Sequence, residues 1–187
     1  MKYWSLFVLA LLTVGCSSQP IEPNYYLLRP TTELQSRTLN PSRDFALGDV
    51  TVASYIDQQG LLLETSTGEI RPARHHLWAE PMYESVRTFL DVEISRAKGA
   101  GIFGTVFNKD AIFVDIRIDQ LHGTYDGKAL LVAYWWLYQD KQILASYRYA
   151  ERMTLSQDGY AALADAEKAL LSDLAQKIAA TLVKPAS

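Results

Sequence analysis

Cys16 is the only cysteine among 187 residues, so no internal disulfide can form. There is no basic stripe. Eighteen Lys and Arg against 21 Asp and Glu leave a formal net charge of −3, which offers nucleic acid no electrostatic footprint. There is no Gly-x-Ser-x-Gly elbow to present a nucleophilic serine. The three histidines, His75, His76 and His122, bring no third ligand at a recognised metal spacing, although Glu80 stands near the first two. Gly99-Ala100-Gly101-Ile102-Phe103-Gly104 matches a G-x-G-x-x-G string, yet a helical pattern precedes it and a strand pattern follows. That order is the reverse of a dinucleotide site and reads as a helix-to-strand loop. No acid, base or nucleophile stands in a recognisable context. The chain is therefore expected to be no enzyme and to hold neither metal nor cofactor.

What is present begins at the N-terminus. Lys2 is followed by the apolar run Leu6-Phe7-Val8-Leu9-Ala10-Leu11-Leu12, then Thr13-Val14-Gly15 and Cys16. This is the layout of a secretory signal over residues 1–15. The apolar run falls short of the ~20 residues that cross a bilayer. Thr13-Val14-Gly15-Cys16 resembles a bacterial lipobox, with Thr13 standing where Leu is usual. Cys16 is then the lipid-bearing first residue of the mature chain, carrying acyl chains such as palmitate. Ser17 follows it, and by the sorting rule of enteric-type lipoproteins the absence of Asp there points to the outer membrane. Residues 16–24, rich in Pro and small polar side chains, read as a tether.

Residues 25–187 are long enough for one domain with a real core. Hydrophobic residues make up 49% of the chain and aromatics 11%, which excludes a disordered chain. Tyr25–Leu28 and Phe45–Val52 read as strands, and Leu61–Thr65 with Glu69–Arg71 as a short hairpin. Pro81 suits a first helical position, and Met82, Val86, Phe89, Leu90 and Ile94 recur at helical spacing up to Gly99. Ile112–Asp119 alternates: Ile112, Val114, Ile116 and Ile118 share one face, Phe113, Asp115, Arg117 and Asp119 the other. Ala129–Tyr138 is apolar on both faces, and Ile143–Thr154 completes a three-stranded meander. Tyr160 to about Val183 is a long amphipathic helix in which Asp173 and Lys177 face outward and pair. The expected fold is α+β, a two-layer sandwich of a mainly antiparallel sheet with two helices on one face.

Two aromatic clusters are candidates for partner contact. In Tyr134-Trp135-Trp136-Leu137-Tyr138 successive side chains alternate faces. One tryptophan fills the core, and the other, taken as Trp136, stands on the open sheet face. Trp78-Ala79-Glu80-Pro81 has two readings. Pro81 starts the helix, Glu80 favours its positive end and Trp78 staples the approach; or Trp78 and Glu80 touch a partner directly.

Three segments resemble a known family: Tyr25-Tyr26-Leu27, Asp49-Val50-Thr51-Val52-Ala53-Ser54-Tyr55-Ile56-Asp57, and His76-Leu77-Trp78-Ala79-Glu80-Pro81. They are similar to the ABC-type transport auxiliary lipoproteins, the PqiC (YmbA) family, over nearly the whole mature chain. The resemblance implies a fold like the N-terminal domain of TolB. It implies an outer-membrane lipoprotein, lipid-anchored on the periplasmic face, that docks or anchors an MCE-domain protein (PqiB-like) and its inner-membrane partner in an intermembrane lipid transport system and so supports envelope integrity. Tyr55 and Ile56 join Trp78, Glu80 and Trp136 as expected partner contacts on this ground. Because MCE proteins form rings, a homo-oligomer is expected too. The alternative is a lipoprotein that carries lipid in a pocket of its own. Mass spectrometry of the protein extracted from membranes should show a chain that starts at Cys16 and is heavier than its sequence by several acyl chains; a free thiol with a retained leader would refute the anchor.

Overall fold

The computed structural model of the chain describes residues 21–30, 39–102 and 110–183. The signal segment, Cys16, most of the tether and Gly104 lie outside the described residues. The elements in order are β1 (Asn24–Tyr26), β2 (Phe45–Val52), β3 (Gly60–Glu64), β4 (Ile70–Trp78), α1 (Met82–Lys98), β5 (Ile112–Thr124), β6 (Lys128–Gln139), β7 (Gln142–Thr154) and α2 (Tyr160–Thr181).

β5 is the axis of the sheet. Its alternation buries Ile112, Val114, Ile116 and Ile118, each at most 4% exposed. A bulge between Ile118 and Gln120 resets the phase, so that Leu121 points inward again. One edge of β5 carries β6 in antiparallel register, with Leu131, Ala133, Trp135 and Leu137 opposite Leu121, Ile118, Ile116 and Val114. Its other edge is shared: β2 runs parallel to it from Phe45↔Ile112 to Val52↔Ile118, and β3 meets it only at Leu63↔Gly123. The order β1-β4-β3-β5-β6-β7, with β2 beside β5, makes a seven-stranded sheet. The long ladders are the antiparallel meander, but β1–β4, β2–β5 and β3–β5 are parallel, so the sheet is mixed.

β4 differs most from the expected hairpin. It continues past Arg71 to Trp78 and carries His75 and His76 within a strand, where β1 pairs with it through Asn24↔His76 and Tyr26↔Trp78. No run of periodic apolar residues announced this, because the pairing partner sits fifty positions away. His76 is not a bare surface histidine. Its ring stacks on Tyr160 at 4.4 Å and on Tyr26 at 6.1 Å, and its Nδ1 lies 3.0 Å from the Tyr26 hydroxyl. This stack joins the strand next to the tether to the start of α2.

Both helices cover one face. α1 ends where Gly99 takes a left-handed φ of 74° and its N–H returns to the Arg96 carbonyl, with Arg96 and Lys98 in the last turn. Pro81 is the cap residue rather than the first helical residue, with ψ of 132°. Leu163, Leu170, Leu171, Leu174 and Ile178 form the buried stripe of α2. Gly123 lets that helix close on β5: a Cβ there would stand 2.9 Å from both Leu163 Cδ2 and Leu63 Cδ1. At the other end the Trp135 indole N–H donates to Thr181 Oγ1 at 3.1 Å. Asp173 does not turn outward to Lys177; its Oδ2 accepts from the Tyr149 hydroxyl at 2.9 Å and ties α2 to β7. Among the described residues no helix is long and apolar enough to cross a membrane, and no three His, Cys, Asp or Glu side chains gather as metal ligands.

One polar residue sits awkwardly in this core. Glu167 on α2 is 2% exposed, and burial pushes its carboxyl from an ordinary value of 4.5 up to about 8. The folded chain holds a proton that the unfolded chain releases above about 4.5. Stability from this group is thus full below that value and falls as pH rises toward 8. Each tenfold change in proton affinity is worth ~1.4 kcal/mol, so the loss is on the order of a few kcal/mol. Urea midpoints at pH 5 and pH 8 should therefore diverge in the parent chain, and Glu167→Gln should remove most of the divergence by being more stable at pH 8.

Candidate docking face

Among the described residues no layer covers the face of the sheet away from the helices. β5 alternation sends Phe113, Asp115 and Arg117 to this side, and antiparallel register sets Tyr138, Trp136 and Tyr134 opposite them on β6. The rings order themselves in pairs. Phe113 stacks on Tyr138 with centroids 5.6 Å apart and planes 21° apart, and Tyr134 on Trp136 at 6.4 Å and 20°. Across the next ladder Ile143 on β7 stands beside Tyr138 and is 68% exposed. The tight β6–β7 turn supplies the rim. Asp140 and Lys141 take positive φ of 49° and 65°, the left-handed pair that a two-residue hairpin requires.

Polar groups bracket the aromatics. Asp115 Oδ1 accepts the Asp49 backbone N–H at 2.7 Å. That approach needs Gly48, because a Cβ at that position would lie 2.1 Å from the same oxygen. Burial pushes the Tyr138 phenol above its ordinary value, and the neighbouring Asp115 charge adds to the rise. Arg117 pairs with Asp119 at 3.0 Å, and Arg148 Nε reaches the Tyr134 hydroxyl at 3.4 Å. A shallow cavity of about 430 Å³ opens among Asp115, Trp136, Tyr138, Lys141 and Ile143. Half-buried aromatic rings at the centre with charges at the margin match the anatomy of a protein contact surface. Nothing in this set pairs a nucleophile with a base; what the arrangement offers is aromatic contact area with charges around it.

The five candidate contacts separate. Trp136 is on the open face, half-buried and stacked. Trp135 is the core tryptophan, 4% exposed, with Tyr147 stacked on it at 5.0 Å. Trp78 and Ile56 are 3% and 2% exposed. Both are corrections: their side chains close the core and present nothing to a partner, because Trp78 points inward as soon as β4 extends this far. Glu80 is partly exposed, but its carboxylate is engaged. It pairs with the Arg29 guanidinium and accepts from Ser85 Oγ at 3.3 Å, and Arg29 holds it below the usual carboxylate range. Its role is to clamp the chain after β1 onto the start of α1. Tyr55 lies apart from the patch, in the turn after β2, with its ring 6.3 Å from His122. Burial pushes its phenol up to about 12, partly offset by the Leu121 backbone. Sequence reading missed Phe113 and Ile143 as members of the face. The outward phase of Phe113 was visible, but its stacking on Tyr138 depends on β5–β6 register.

Known proteins match this chain along most of its length. The family model for the ABC-type transport auxiliary lipoprotein component covers residues 25–179. The intermembrane transport lipoproteins PqiC of Escherichia coli K12 and of Shigella flexneri are each 30% identical over 164 residues, 86% of this chain and 86% of theirs. Two crystal structures share the fold. An uncharacterized protein gives a TM-score of 0.73 at 19% identity, covering 87% of this chain and all of its own. A protein from Xanthomonas campestris gives 0.62 at 14%, covering 84% and 91%.

The two adjacent tryptophans should differ sharply on truncation. Trp135→Ala is expected to cost ~3–5 kcal/mol as a core deletion, and Trp136→Ala no more than ~1 kcal/mol. Urea denaturation of the two variants measures the difference.

Proposed function

We propose, from the premise that this chain belongs to the ABC-type transport auxiliary lipoprotein family, that it is the outer-membrane, lipid-anchored subunit of an intermembrane lipid transport system and docks a periplasmic MCE-domain assembly. The observation that carries this reading is the family match over residues 25–179, together with relatives named as intermembrane transport lipoproteins. The family's description is of a transport component and not of an enzyme.

The physical parts support the role. Acyl chains on Cys16 contribute ~0.8 kcal/mol per buried CH₂, and several chains make the anchor effectively permanent. The chain from Cys16 to Asn24 reaches at most ~26–29 Å, so the domain works close to its membrane. The Tyr26–His76–Tyr160 stack and the Arg29–Glu80 pair fix the root of that tether to the body. The open face around Trp136 and Tyr138 is the contact for the MCE partner. A ring-like homo-oligomer matching the partner's ring belongs to the same reading. Carriage of acyl chains inside the domain has less support. The space beneath the helices is filled by Val86, Phe89, Leu90, Ile94, Ile116 and Leu131, each at most 1% exposed.

Site-specific photocrosslinking in intact cells tests the docking face. A benzoylphenylalanine at position 136 or 143 should form an adduct with an MCE-domain protein, whereas one at Asp165, on the exposed side of α2, should not. Equal adducts from both sides, or none from the sheet face, would overturn the assignment.

A further inference from the structure

A second cavity lies on the open side of the sheet, at the other end of β5. It arises from the way that β5 edge is shared. β2 accompanies it to Ile118 and β3 meets it at Gly123, so among the described residues the stretch between has no strand neighbour on that side. Tyr55 occupies the gap, and a cavity of about 370 Å³ opens beside it, lined also by Glu64, Asp119, His122 and Arg152. Its size is that of a small-molecule site.

Three kinds of group in it have bonding capacity left over. His122 is 4% exposed. Its Nδ1 lies 3.1 Å from the Gly123 carbonyl oxygen. A carbonyl only accepts, so Nδ1 carries the hydrogen, and in the neutral ring Nε2 is left with a lone pair. Among the described residues Nε2 has no hydrogen-bond partner, so it is available to a donor that enters the cavity. Glu64 and Arg152 likewise have no ion-pair partner among the described residues. Asp119 gives one oxygen to Arg117 at 3.0 Å and keeps the other. The lone pair calls for an N–H donor, the carboxylates for a cation, and the guanidinium for an oxyanion that its planar fork can grip. One small molecule meets all three demands if it joins a primary ammonium to a phosphate by a short chain.

We infer that this cavity binds an aminoalkyl phosphate of the phosphoethanolamine type, its ammonium donating to His122 Nε2 and Glu64 and its phosphate held by Arg152. The requirement for N–H donors excludes a trimethylammonium group, which has none. The same chemistry occurs in a phospholipid headgroup and in a soluble phosphate ester, and the two sources can be told apart. The site is separate from the Trp136 patch, so failure of either leaves the other standing.

The mature chain, carrying Cys16→Ser so that no acyl chain holds it to a bilayer, is titrated with O-phosphoethanolamine and with phosphocholine by NMR or calorimetry. Saturable binding of the first and none of the second is expected. Glu64→Gln and Arg152→Gln, both outside the buried core, should each weaken binding at least tenfold. Cosedimentation with phosphatidylethanolamine vesicles but not with phosphatidylcholine vesicles identifies the headgroup as the source; binding of the free ester alone identifies a soluble ligand. No saturable response, an equal response to phosphocholine, or undiminished binding by both variants would overturn the site.

Discussion

Strand β5 has one neighbour on one edge and two on the other, and most of the molecule follows from that constraint. β6 occupies the first edge over the full meander register. β2 and β3 divide the second, both running parallel to β5, and neither could be placed by local hairpin geometry. The division brings the N-terminal half of the chain, β1 through β4, against the C-terminal meander and produces one sheet where two smaller ones would leave exposed edges. It also opens the gap that Tyr55 fills. The cavity beside Tyr55, and a His122 nitrogen with no partner among the described residues, are consequences of where β2 stops.

The two faces of this sheet carry different physics. On one, aliphatic residues of β2, β5 and β6 meet the apolar stripes of α1 and α2, and polar groups are admitted with partners, as with Trp135 and Thr181 or Tyr149 and Asp173. Among the described residues Asp91 Oδ1 and Glu93 Oε1 are buried without a hydrogen-bond partner, and the raised protonation value of Glu167 is what burial without an opposite charge produces. On the other face aromatic rings stack in pairs under solvent, with charges around them. A lipoprotein of a transport machine has use for both. The closed face provides a rigid body, and stacking on the open face leaves an aromatic surface whose side chains have little further freedom to lose, as the proposed docking requires. Arg29, Glu80 and the His76 stack fix β1 and the chain that follows it to the same body.

The sequence by itself determined the local elements and their phases. The spacing of Val86, Phe89, Leu90 and Ile94 determined α1; the alternation from Ile112 to Ile118 determined β5 and which of its residues face outward; Gly99 determined where α1 ends. It also carried the resemblances to a lipobox and to the family. Tertiary structure agrees with the choice of Trp136 as the outward tryptophan and adds what holds Trp135 in the core, the Thr181 hydroxyl and the Tyr147 ring. It decided that Trp78 and Ile56 are buried, that Glu80 clamps Arg29, that Asp173 turns to Tyr149, and that β4 runs on to Trp78. The physical reason is range. Helical and strand periods are written by neighbours a few positions apart, whereas the partner that covers a residue is brought from tens of positions away by strand register, and nothing in the local pattern specifies it.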